Sequence, residues 1–133
     1  MSAPRDDKTT VLVVDDDSAV REVVCRMLRR LGYGVVEASG GEEALAEVRD
    51  PAARIDLLLT DVVMPGMDGR RLSEEARSAQ PDLPVLFMSG YTEDATLLAG
   101  TEESGLGFLA KPFELDALGR AVREALTGED RTG

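Results

Sequence analysis

Short apolar runs alternate with amphipathic stretches along the chain. Val11-Leu12-Val13-Val14 has no polar break and predicts a strand buried on both faces. Asp17 or Ser18 can cap the next helix, whose apolar positions Val20, Val24, Met27, Leu28 and Leu31 recur at helical spacing until Gly32 ends it. Cys25 falls beside that stripe and reads as inert packing. Gly34-Val35-Val36-Glu37-Ala38 predicts a weaker strand, and Ser39 with Glu42 has capping-box spacing ahead of Ala44, Leu45 and Val48. Pro51 stops this second helix. A third strand is expected over residues 55–60, with Asp61 just beyond it. Leu72, Ala76 and Ala79 mark a third helix that begins near the solvated pair Arg70 and Arg71 and is closed by Pro81. Val85-Leu86-Phe87-Met88 is a fourth strand ending at Ser89, a less regular helix is expected over 93–102, and Gly107-Phe108-Leu109-Ala110 is a fifth strand ending at Lys111. Leu115, Leu118, Val122 and Leu126 stripe the last helix.

Five strand–helix units in alternation predict a doubly wound α/β domain, with a parallel sheet covered by helices on both faces. It is expected over residues 10–127, between polar tails at 1–9 and 128–133. With 133 residues there is core for one domain, and two would each be small. Fifteen basic against twenty-six acidic side chains leave a net charge of -11, which repels phosphate backbones and anionic lipid, so direct nucleic-acid or membrane binding is not expected. The single cysteine cannot form an internal disulfide, which suits a cytoplasmic setting. No apolar run approaches a membrane span, and the polar amino terminus lacks a signal-peptide core. The sequence contains no histidine, which removes imidazole bases and most zinc sites.

The alternation itself creates a site. Parallel strands point one way, and ligands of open α/β sheets bind at the carboxyl edge where strand order reverses. Asp15 and Asp16 follow the first strand, Asp61 the third, Ser89 ends the fourth and Lys111 the fifth. Carboxylates brought together there repel: a pair ~4 Å apart costs roughly 4 kcal/mol at an effective dielectric near 20. Either their pKa values rise or a cation sits among them, and hard oxygen ligands without histidine or thiolate favour Mg2+. Cation, lysine and hydroxyl around one carboxylate suit receipt of a phosphoryl group, a reaction catalysed by positioning and charge neutralisation.

Val11-Leu12-Val13-Val14-Asp15-Asp16-Asp17, Asp61-Val62-Val63-Met64-Pro65-Gly66-Met67-Asp68-Gly69, Met88-Ser89-Gly90-Tyr91 and Lys111-Pro112-Phe113 together resemble the response-regulator receiver domains of two-component systems. The resemblance covers nearly the whole chain and implies a flavodoxin-like (βα)5 fold with strand order 2-1-3-4-5. By it, Asp61 takes the phosphoryl group from a histidine kinase or histidine phosphotransfer protein. Asp15 and Asp16 hold Mg2+ with Asp61 and the Val63 backbone carbonyl, Ser89 bonds a phosphoryl oxygen, and Lys111 pairs with the group. The Lys111–Pro112 bond is expected to be cis. Phe108 matches a switch aromatic without the tyrosine hydroxyl, leaving core packing and gating with Ser89 both open. Activation is expected to alter the face of the fourth helix, fifth strand and fifth helix, through which a homodimer could form. Val63 and Tyr91 are expected to rim the site and slow loss of the phosphoryl group. The Met88 to Thr92 run and the ending around Lys111-Pro112-Phe113 resemble receivers attached to hybrid sensor kinases.

Such a domain is a phosphoacceptor rather than a turnover enzyme. Two other readings stand beside it. An aspartate-nucleophile phosphatase carries its nucleophile after the first strand in Asp-x-Asp spacing, which Asp15-Asp16-Asp17 contains, but it gives the Asp61 loop no role. A degenerate receiver used only as a binding module has no need of Asp15, Asp16, Asp61, Ser89 and Lys111 together. A dinucleotide-binding domain is excluded by acid where the pyrophosphate turn requires glycine.

Overall fold

A run such as Val11-Leu12-Val13-Val14 is stable as a strand only if both its faces are covered, and they are. In the computed structural model, which describes residues 9–89, 106–111 and 113–127, Leu12 and Val14 enter one core and Val11 and Val13 the other. The elements are β1 (Thr10–Val14), α1 (Ser18–Arg30), β2 (Gly34–Ala38), α2 (Gly41–Arg49), β3 (Leu57–Asp61), α3 (Gly69–Ala79), β4 (Val85–Ser89), β5 (Leu106–Ala110) and α4 (Leu115–Thr127). All strand pairings are parallel and the sheet order is β2-β1-β3-β4-β5, the doubly wound arrangement and strand order expected. Strand order reverses beside β1, so the crevice lies between the carboxyl ends of β1 and β3.

One face of the sheet packs Leu12, Leu58 and Phe87 against Leu45 of α2 and Leu72 and Ala76 of α3. The other packs Val13, Leu59 and Met88 against Val24 and Leu28 of α1 and Leu118 and Val122 of α4. Each fully buried leucine or valine contributes about 1.5–3 kcal/mol over its exposed state. Both flanks of the site are therefore fixed by core rather than by loop contacts.

Several local expectations are corrected. The buried residues of α1 are Val24, Cys25 and Leu28, while Val20 and Met27 are only partly covered, so the stripe is rotated towards Cys25. Burial raises the Cys25 thiol to about 11, with Glu37 adding to the effect, which keeps it an unreactive packing group. Helix α2 begins one residue later than the Ser39–Glu42 spacing predicts: Gly40 is its N-cap, and the Ser39 N–H and hydroxyl both donate to Glu43 Oε1 at 2.8 Å. Those bonds lower the Glu43 pKa. Ala79 is exposed, and the inward positions of α3 are Leu72, Ser73 and Ala76. Ser73 fits there because its hydroxyl donates back to the Arg70 carbonyl at 2.8 Å. The third strand starts and ends later than residues 55–60, so Asp61 is its last residue, paired in register with Met88.

The segment after β3 turns back tightly. Asp68 caps α3 by accepting from the Arg71 N–H at 2.8 Å, and the Gly69 N–H donates to the Val62 carbonyl at 2.7 Å. A Cβ on Gly69 would collide with the Asp61 carbonyl oxygen and press on the Val62 Cα, so only glycine lets α3 begin against the backbone of Asp61. Earlier, Gly32 closes α1 at φ 99°, a left-handed conformation that suits glycine.

The helix expected over 93–102, Tyr91, the Lys111–Pro112 bond and the tail residues 1–8 and 128–133 lie outside the described residues. Among the described residues no helix is long and apolar enough to cross a membrane.

Candidate functional site

The turn after β1 is wired residue by residue. The Asp15 N–H donates to the Ala38 carbonyl at the end of β2 at 3.3 Å, and its carbonyl accepts from Arg21 Nη1 at 2.7 Å. Asp15 Oδ1 accepts from the Asp17 N–H at 2.9 Å. Asp17 in turn caps α1, its Oδ1 accepting from the N–H groups of Ala19 at 3.0 Å and Val20 at 3.3 Å. Asp17 is thus the cap, which leaves Asp15 and Asp16 for other work. Asp15 is 1% exposed and Asp16 is open to solvent.

Asp61 is presented from β3, its Oδ1 accepting from the Val62 N–H at 3.0 Å. Asp15, Asp16 and Asp61 each offer a carboxylate oxygen, all within 4.8 Å of one another. Lys111, just past β5, reaches over the edge: its Nζ lies 3.4 Å from Asp15 Oδ2 and 3.5 Å from Asp61 Oδ1. One ammonium cannot neutralise three carboxylates. The Asp61 pKa is accordingly raised to about 6, first by burial and further by the charge of Asp15, with Lys111 opposing both. A cluster of hard oxygen donors with excess negative charge fits a divalent cation such as Mg2+.

This has a consequence for stability. An acid whose folded pKa exceeds its unfolded value supports folding fully below the unfolded pKa, near 3.8 here, and loses that support as pH rises through about 6. In chelator, Asp61→Asn should match wild type in stability near pH 4. Above about pH 6.5 the variant should be the more stable, by at most about 3 kcal/mol. Urea unfolding of both proteins across that range checks the crossover, and parallel curves would contradict it.

Residues 11–123 match the family profile described as response regulator receiver domain. The chain belongs to that family. The receiver domain is 43% identical over 121 residues to the sensor kinase CckA of Brucella abortus, covering 91% of this chain and 13% of that protein. It is 35% identical over 126 residues to the transcriptional regulatory protein ZraR of Salmonella typhimurium, covering 95% of this chain and 28% of that one. The chain thus spans a minor part of either relative. Among solved structures, the receiver domain from the hybrid histidine kinase CckA matches with a TM-score of 0.74 and 42% identity, covering 88% of this chain and 98% of that one. The likeness to hybrid-kinase receivers seen in the sequence is therefore present in both sequence and structure comparisons.

Asp15, Asp16, Asp61 and Lys111 are brought together as the sequence predicts. The Ser89 backbone ends β4, paired in register with Ala110 of β5, and the placement of its hydroxyl lies outside the description. Val63 is 52% exposed two residues beyond Asp61, with its side chain clear of the core. Phe108 is 38% exposed although its register partner Phe87 is buried, so it is not an enclosed core residue. The sequence alone gives no role to Arg21, whose guanidinium touches the Asp15 backbone, nor a separate one to Gly69, the last residue of the Asp61 motif, which seats α3 against Asp61. The Asp68-Gly69 pair, adjoining a predicted helix start, was the readable signal for the glycine.

Proposed function

We propose that the Asp61 carboxylate accepts a phosphoryl group from the phosphohistidine of a histidine kinase or histidine phosphotransfer protein. The carboxylate oxygen attacks phosphorus, the P–N bond to the donor breaks, and the leaving imidazole takes up a proton. The observation carrying this reading is the meeting of Asp61 with Asp15, Asp16 and Lys111 at one sheet edge. Asp15, Asp16, Asp61 and the Val63 carbonyl would hold Mg2+, which when bound neutralises charge developing on the phosphoryl oxygens. Lys111, already shared between Asp15 and Asp61, supplies the second positive charge, and Ser89 from the end of β4 bonds a phosphoryl oxygen. Its approach is followed by Phe108, whose exposed ring has room to move, altering the surface around β5 and α4 through which two copies can also pair.

An apolar groove of about 330 Å³ opens beside Lys111, lined by Val20, Val23, Val24 and Met27 of α1 and by Phe113. It supports a protein donor over a small-molecule one, since it offers a bulky partner apolar area next to the acceptor. The setting that suits this activity is the cytoplasm, with the domain as a free regulator or as a module of a hybrid kinase. The chain acts as acceptor and switch, not as an enzyme of external substrates. Incubation with a small phosphodonor should therefore give uptake that needs Mg2+ and saturates at one phosphoryl group per chain, read by intact mass. Continuous phosphate release, with no retained group, would favour turnover instead.

The retained group is expected to be long-lived. Hydrolysis needs a water in line with the scissile bond, and the half-exposed Val63 at the rim cannot hold one. Val63→Asn should lose phosphate several-fold faster than wild type, and equal rates would remove Val63 from this role.

A further inference from the structure

Arg21 occupies an unusual place for a cation. It lies on the inward side of α1, on the same helical stripe as Cys25 and Leu28, with its side chain 17% exposed. It pairs with no carboxylate of the acidic site. Its Nη1 donates to the Asp15 carbonyl at 2.7 Å, and its Nε donates to Glu37 Oε1 at 3.1 Å. Glu37 sits on β2, in register with Val13, and is held from a second side by Arg29 at 3.8 Å. The guanidinium thus ties the helix, the neighbouring strand and the turn after β1 into one unit.

We propose that Arg21 is a positioning residue for the acidic pair: by bridging the Asp15 carbonyl to Glu37 it fixes where the Asp15 and Asp16 carboxylates face Asp61. This rests on the reading of that cluster as a Mg2+ site. The Asp15–Asp16 peptide is the hinge about which both carboxylates would swing. The carbonyl of that peptide is tied to β2 through Arg21 and Glu37, and the preceding peptide is tied to β2 by the Asp15 N–H donating to Ala38, so the peptides on either side of the Asp15 Cα are each held. A fork of donors is needed to hold two acceptors in two directions, which lysine cannot reproduce. Groups behind metal ligands commonly change metal affinity on the order of 10–100-fold when removed.

Charge and position predict opposite signs. Removing a nearby positive charge should strengthen Mg2+ binding if only electrostatics mattered. Loss of positioning should weaken it. Mg2+ titrations by calorimetry on wild type, Arg21→Met, Arg21→Lys and Glu37→Gln should be paired with melting curves in chelator. Positioning predicts about tenfold weaker binding for Arg21→Met, and weakening for Arg21→Lys although its charge is kept. Glu37→Gln keeps an acceptor for Nε and should weaken binding only a few-fold. A purely structural role would lower the chelator melting temperature and leave the Mg2+ affinity alone. Unchanged or tighter binding in both Arg21 variants overturns the proposal. If Arg21→Met does not fold, Arg21→Lys decides it, because that variant keeps the charge and loses only the fork of donors. Should wild type itself take up no Mg2+, the reading of the cluster falls first and this inference with it.

Discussion

Asp61→Asn is expected to abolish phosphoryl uptake, the largest effect of any single substitution in this domain. The amide is nearly isosteric with the carboxylate but offers no anionic oxygen to attack phosphorus. The Val62 N–H can still donate to the side-chain oxygen it meets at 3.0 Å, so the local fold is retained. The burial that raises the Asp61 pKa to about 6 also means that the neutral amide is tolerated without new cost. Loss of uptake should therefore come with an intact or higher melting temperature in chelator. Full uptake by the variant would remove Asp61 from the centre of the account.

Mg2+ should stabilise the native protein strongly, because the unfolded chain does not hold Asp15, Asp16 and Asp61 together. A ligand that binds only the native state adds RT ln(1 + [L]/Kd), about 2.7 kcal/mol when its concentration is 100 times Kd. For a domain of this size that is a rise in Tm of roughly 10 °C. Asp16→Ala should lose most of the response while folding normally, since Asp16 is exposed and Asp15 and Asp17 carry the structural hydrogen bonds of the turn. Ca2+ and Mg2+ melting series on both proteins check this. A wild-type curve indifferent to Mg2+ at millimolar concentration would contradict the metal site.

The strands and their carboxyl ends were readable because buried parallel strands leave uninterrupted valine and leucine runs, and a polar residue after such a run can only sit at the sheet edge. By that logic the sequence alone puts Asp15, Asp16, Asp61 and Lys111 at one edge. What it could not fix was rotation and phase. Cys25 is apolar enough to belong to either side of the α1 stripe, and only packing against β2 and α4 turns it inward. Ala79 is equally at home in core or solvent, and the structure leaves it exposed. Ser39 has glutamates at both 42 and 43, and the choice between them depends on which residue starts α2. Arg21 was not legible as part of the site because its partners are a backbone carbonyl six residues back and a glutamate on the next strand. Neither contact leaves a periodic trace.

The phosphoryl group is expected to reside on Asp61. Wild-type protein incubated with a small phosphodonor and Mg2+, then reduced with borohydride, should carry homoserine in place of aspartate at the phosphorylated position, located by peptide mass spectrometry. The change is expected at Asp61 and at no other residue. Its appearance at Asp16, as an Asp-x-Asp phosphatase would require, or its absence from Asp61 under conditions where phosphate is retained, would contradict it.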